Sequence, residues 1–114
     1  MSETPYRDRR EVPRYSFIAS AEEVDIVSNT RLTSRVSEIS VKGCYLDTLN
    51  PFPEGTEIRL GIDHAGETFS TLGKVIYVLP NMGMGVAFTG LEEPQKQLLL
   101  KWIGGAGGTA ALLA

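Results

Sequence analysis

A chain of 114 residues is long enough for one domain with a modest single core. Its 42% hydrophobic and 22% charged content is that of an ordinary globular protein, and a net charge of −3 argues against a general nucleic-acid binder, which spreads positive charge over a whole face. The lone Cys44 excludes an internal disulfide and no apolar run reaches the roughly 18–20 residues of a membrane span, so a cytoplasmic protein is expected.

Met1 to Pro13 is polar and proline-bearing, and reads as a flexible, extended arm. It lacks the apolar core of a signal peptide. Arg7, Arg9, Arg10 and Arg14 crowd its end, in a chain that is otherwise acidic. From Tyr15 the pattern changes to short alternating runs. "YSFIAS" and "EEVDIVS" are strand-like, with Phe17, Val24 and Ile26 as the inward positions. "RLTSRVSEIS" puts Leu32, Ser34, Val36 and Glu38 on one strand face. "GCYLDTL" is a further strand, ended by the break "NPFPEG". "TEIRLGID" and "ETFSTLGKVIYVL" flank "HAG", which reads as a hairpin turn. "PNMGMG" is another turn, and "GVAFTG" the next strand. Six or seven short strands with Gly, Pro and Asn turns predict an antiparallel barrel or sandwich, an all-β fold.

One helix follows in "LEEPQKQLLLKWIGG". Glu92 and Glu93 suit its N-terminus, Pro94 its first turn and Lys101 its last, with Gly104 as a left-handed stop. Leu91, Leu98, Leu99, Trp102 and Ile103 form an apolar face to pack on the barrel. The expected organisation is an arm over 1–13, a domain over 14–104 and a flexible Gly/Ala-rich tail over 105–114.

Catalytic chemistry is hard to build from these residues, and no enzyme is expected. The one histidine, His64, falls in a predicted turn and reads as a solvated residue. Cys44, within a strand, reads as a buried structural thiol. One His and one Cys cannot make a typical structural zinc site, and no carboxylate pair is set up for acid–base work. "GMGVAF" fails as a dinucleotide fingerprint: Phe88 stands at the third glycine position, and a strand follows instead of a helix.

Binding is better supplied. Arg10 and Arg14 are four apart, with Arg9 directly before Arg10. Planar guanidinium forks match phosphate oxygens in bidentate fashion. The alternative is a solvated arm partly neutralised by Asp8 and Glu11. Arg31 and Arg35 share the spacing but lie within a strand. In "SEISVKGCYL", Ser40 and Gly43 are three apart between two strands. Serine can donate and accept, and glycine lets backbone approach a flat ligand closely; a turn needing both residues for its own geometry is the alternative.

In these segments the chain resembles the PilZ domain, a bacterial receptor module for cyclic di-GMP. That family carries R-x-x-x-R on an N-terminal arm and [D/N]-x-S-x-x-G on the barrel. Arg10-Glu11-Val12-Pro13-Arg14 matches the first motif. Glu38-Ile39-Ser40-Val41-Lys42-Gly43 matches the second at Ser40 and Gly43 but not at its first position. "GMGVAFTGL" resembles the family's late strand and "QKQLLLKWI" its closing helix. The resemblance implies a six-stranded antiparallel barrel with a C-terminal helix. It implies arginines that bind phosphate and stack on guanine, a second motif that reads a guanine edge, and an aromatic residue near the ligand at Tyr77. Arg9 before the motif resembles members that take up an intercalated ligand dimer. The expected ligand-binding residues are thus Arg9, Arg10, Arg14, Glu38, Ser40, Gly43 and Tyr77. The ligand is cyclic di-GMP, a downstream protein is the implied partner, and neither DNA, RNA, metal nor cofactor is expected.

Glu38 departs from the family residue. It keeps the charge of Asp but is one methylene longer, and a misfit of about 1 Å weakens binding by one or two orders of magnitude. Two readings therefore stand: a nucleotide sensor whose arm folds onto the barrel, and a PilZ-like interaction module that has lost or weakened nucleotide binding.

Overall fold

The computed structural model describes residues 12–107. Strands β1 (Tyr15–Asp25), β2 (Arg31–Ile39), β3 (Gly43–Asp47), β4 (Glu57–His64), β5 (Glu67–Leu79) and β6 (Gly83–Phe88) precede one helix, α1 (Glu93–Gly107). The strands close into an antiparallel barrel in the order β1-β2-β3-β6-β5-β4. The expected all-β, six-stranded barrel is the observed fold, and closure rules out the open sandwich.

Alternation builds the core. Ile58, Leu60 and Ile62 of β4, Phe69 and Val75 of β5, and Met84 and Val86 of β6 point inward and are buried. Each such side chain contributes roughly 1.5–3 kcal/mol by leaving water. In β1 the phase set by Phe17 continues through Ala19 and Ala21 to Glu23, which is fully buried. Val24 is therefore only half-buried, on the opposite parity, and Ile26 lies half-buried beyond the strand's end. Neither takes the expected inward place.

β2 departs from its expected face for a different reason. Its pairing with β3 shifts register between Val36 and Glu38. Such a bulge resets the alternation. Ile39 turns into the core while Glu38 stays on the outside, half-buried.

The β4–β5 connection is tighter than expected. His64 belongs to β4, and the turn is Ala65-Gly66, with φ of 53° and 81°. Two left-handed residues suit the twist of a two-residue hairpin.

α1 closes the barrel end where β1 and β5 outrun their neighbours. Trp102 lies 5.4 Å from Phe17, 5.3 Å from His64 and 6.1 Å from Phe69, centroid to centroid, and His64 lies 4.4 Å from Phe17. His64 is thus packed in the seam between barrel and helix, not solvated. Pairing of β5 with β6 begins only at Gly73, and the helix segment covers the edge before it. The Ser70 amide donates to the Gln95 side-chain oxygen at 2.8 Å, and the Thr89 amide to the Leu72 carbonyl at 2.9 Å. The helix runs through Gly104 to Gly107, so Gly104 is no left-handed stop and residues 105–107 belong to the helix. Lys101 accordingly sits within the helix, where it pairs with Glu67 at 3.0 Å. Among the described residues, no helix is long and apolar enough to cross a membrane.

Candidate functional site

A cavity of about 370 Å³ opens on the outer surface, where the start of β1, the β2–β3 turn, β5 and β6 meet. Arg14, Glu38, Ser40, Gly43 and Tyr77 all line it. Residues spread over 64 positions of sequence, from Arg14 to Tyr77, are thereby brought to one surface. Arg9 and Arg10 lie outside the described residues.

Arg14 stands directly before β1. Its Nη1 donates to Glu38 Oε1 at 3.1 Å, with the two side chains 37% and 42% exposed. A half-exposed pair of this kind contributes at most about 1 kcal/mol. The bulge in β2 is what turns Glu38 outward to meet it.

Ser40 organises the turn after β2. Its Oγ accepts from the amides of Lys42 and Gly43 at 3.1 and 3.2 Å, and donates to the Gly43 carbonyl at 3.3 Å. The Ser40 amide donates to the same carbonyl at 2.9 Å. A Cβ on Gly43 would overlap the carbonyl oxygen of Val86. The close approach that Gly43 permits is therefore that of β3 to β6, while the Ser40 hydroxyl is engaged within the turn.

Tyr77 follows a second register shift, between Val75 and Tyr77 in the β5–β6 pairing. Its ring lies where a Cβ on Gly85 would fall. Tyr45, on the other side of β6, completes an aromatic pair with ring centroids 6.2 Å apart and planes 25° from parallel. Partial loss of solvent, then the neighbouring Asp47 and Tyr77, hold the Tyr45 phenol above its usual range, so it stays an O–H donor.

Sequence reasoning did not select Lys42, Tyr45, Val12 or Ile76, which also line the cavity. Lys42 lies inside the serine–glycine motif, and Tyr45 is two residues past Gly43, on the outward parity of β3; both signals were present. Arg31 and Arg35, with the same spacing as the arm arginines, line no part of it. They pair along the barrel surface with Glu22 at 2.8 Å and Asp47 at 3.7 Å. Cys44 is buried, and burial, aided by Glu23, pushes its thiol well above the usual range, which leaves it inert. No group of three His, Cys, Asp or Glu side chains suited to a metal ion occurs among the described residues.

Several solved structures share this architecture. The PilZ domain of Escherichia coli YcgR, solved with c-di-GMP, superposes with a TM-score of 0.72 at 14% identity, over 92% of this chain and 96% of that one. The Bacillus subtilis inhibitor of motility, MotI, gives a TM-score of 0.68 at 16% identity, covering 82% of this chain and 49% of that one. The PilZ domain of CeSA from a cellulose-synthesizing bacterium gives 0.62 at 14% identity, over 86% of this chain and 98% of that one. The chain thus spans about half the length of MotI. No curated protein matches it in sequence. At such low identities these likenesses speak to the fold alone. The sequence goes further, because the model of the PilZ domain, a receptor module and not an enzyme, matches residues 8–105. That span takes in every strand of the barrel and most of α1, and the chain belongs to the PilZ domain family.

Proposed function

We propose that this domain is a receptor for cyclic di-GMP. The observation that carries the reading is the convergence of Arg14, Glu38, Ser40, Gly43 and Tyr77 on one outer cavity. Each offers a complementary chemistry. The Arg14 guanidinium, with Arg9 and Arg10 of the arm, grips phosphate oxygens in bidentate fashion. Ser40 and Glu38 hydrogen-bond a guanine edge, Gly43 keeps the turn low beside it, and the Tyr77 ring stacks on a base. Binding draws the arm onto the barrel and changes the surface offered to a downstream protein, and Arg9 allows an intercalated ligand dimer. A cytoplasmic location goes with this reading. Calorimetric titration of cyclic di-GMP into the pure protein tests it: saturable binding is expected, and no heat at millimolar ligand would overturn it.

A second reading has its own support. Glu38 already holds Arg14, and the Ser40 hydroxyl is already bonded within its turn. A ligand must break these contacts, which favours an interaction module with weakened nucleotide binding. Absence of binding by both wild type and Glu38→Asp selects it.

A further inference from the structure

The outer face of β6 is bare. Met84 and Val86 point into the core, so the outward positions fall to Gly83, Gly85 and Ala87. Neighbouring strands fill the space with tyrosines. A Cβ on Gly85 would fall on the Tyr77 ring, and a Cβ on Gly83 would collide with the hydroxyl end of Tyr45. Tyr45 and Tyr77 both face Gly85 in register, one from β3 and one from β5. The near-parallel rings both stay half-exposed, and both line the cavity that holds Arg14.

We infer that Tyr45 is a second stacking residue of the site, which takes a flat heteroaromatic base beside the one carried by Tyr77. This rests on the nucleotide reading above. That reading gives one aromatic ring to a ligand with two bases bridged by phosphates. A second aromatic π-face within reach of the same cations lets the second base stack on a ring as well as on a guanidinium, and Tyr45 supplies it. Its ring is also neutral and amphipathic, so it meets a base without desolvating a charge. Arg14 lines the same cavity, and the exposed Lys42 stands at its rim, close enough to share the anionic backbone of such a ligand.

Stacking on a base is lost with the ring but not with the hydroxyl. Titrated with cyclic di-GMP, Tyr45→Leu should bind about five- to a hundredfold more weakly, while Tyr45→Phe stays near wild type. Thermal melting of each variant separates lost contact from lost fold. Should Tyr45→Leu fail to fold, Tyr45→Trp adds an indole at the position, and its emission, taken as the excess over that of Trp102 in the wild type, should be quenched at saturating ligand. Unchanged emission from that indole, or full affinity in a folded Tyr45→Leu, overturns the inference. If affinity survives in Tyr45→Leu but is lost in Arg14→Ala, the nucleotide reading stands and only the role of Tyr45 falls. No binding by wild type removes both.

Discussion

Glu38 holds Arg14 at the mouth of the cavity, Oε1 to Nη1 at 3.1 Å. The carboxylate therefore occupies the guanidinium that a phosphate would use. The bond is cheap to exchange, because a phosphate offers more charge and more acceptors than one half-exposed carboxylate. Glu38→Asp shortens the reach by a methylene and frees Arg14, while keeping an acceptor for a base edge. Affinity for cyclic di-GMP should be preserved or tightened, with release of the pair alone worth up to about fivefold at its ~1 kcal/mol ceiling. Weaker binding in calorimetry would mean that the ligand needs the longer side chain.

Arg14→Ala removes charge-assisted bonds worth roughly 1.5–3 kcal/mol and should weaken binding about ten- to a hundredfold. Arg10→Ala should do the same. Arg31→Ala is the control, since Arg31 pairs with Glu22 away from the cavity. All three should melt close to wild type. An Arg31→Ala loss equal to that of Arg14→Ala would misplace the site.

Glu23 makes stability depend on pH. Burial, opposed by the Ser34 hydrogen bond and aided by Glu22, raises its pKa from 4.5 to about 7. The folded chain thus keeps a proton that the unfolded chain releases. Stability is greatest below about 4.5 on this account, falls as pH rises to about 7, and then levels off. The loss at pH 8 amounts to about 3 kcal/mol at most. Urea denaturation should show Glu23→Gln gaining on wild type between pH 4.5 and 8. A constant difference across that range would contradict the burial of an ionisable carboxyl.

Gly43→Ala should destabilise the fold by about 1–3 kcal/mol, the range for forced overpacking. Its Cβ meets a backbone oxygen on β6, which cannot rotate away as a side chain would. Thermal denaturation checks this. An unchanged midpoint would show that β3 and β6 can separate freely.

Much of this fold is legible along the chain. Alternation from Tyr15 onward and the "NPFPEG" and "PNMGMG" breaks bring the strand count to six or seven, and the arginine and serine–glycine motifs name Arg14, Glu38, Ser40 and Gly43 of the cavity's lining. What escapes is set by contacts between distant segments. The bulges before Glu38 and Tyr77 leave no mark in local periodicity, because a register shift belongs to two strands at once. Val24 reads as the inward residue in place of Glu23, since nothing nearby announces that Ser34 will donate to Glu23 at 2.6 Å. His64 reads as a loop residue until Phe17 and Trp102 close on it. Gly104 resembles a helix stop because propensity is weighed without the packing of Leu99, Trp102 and Ile103, which are buried against the barrel. Tyr45 becomes conspicuous only beside the glycines of β6.

A barrel closed all round gives neighbouring molecules no strand edge to extend, yet this one has a gap in its armour. Among the described residues, the stretch of β5 before Gly73 has no strand on its β6 side, and Gln95 and the segment leading into α1 occupy those backbone groups instead. The helix is thus a guard against self-association as well as a lid on the core. Loosening it would bare the amide of Ser70 together with Phe69 and Trp102, a hydrogen-bonding edge backed by apolar surface, which is the combination on which chains add to one another.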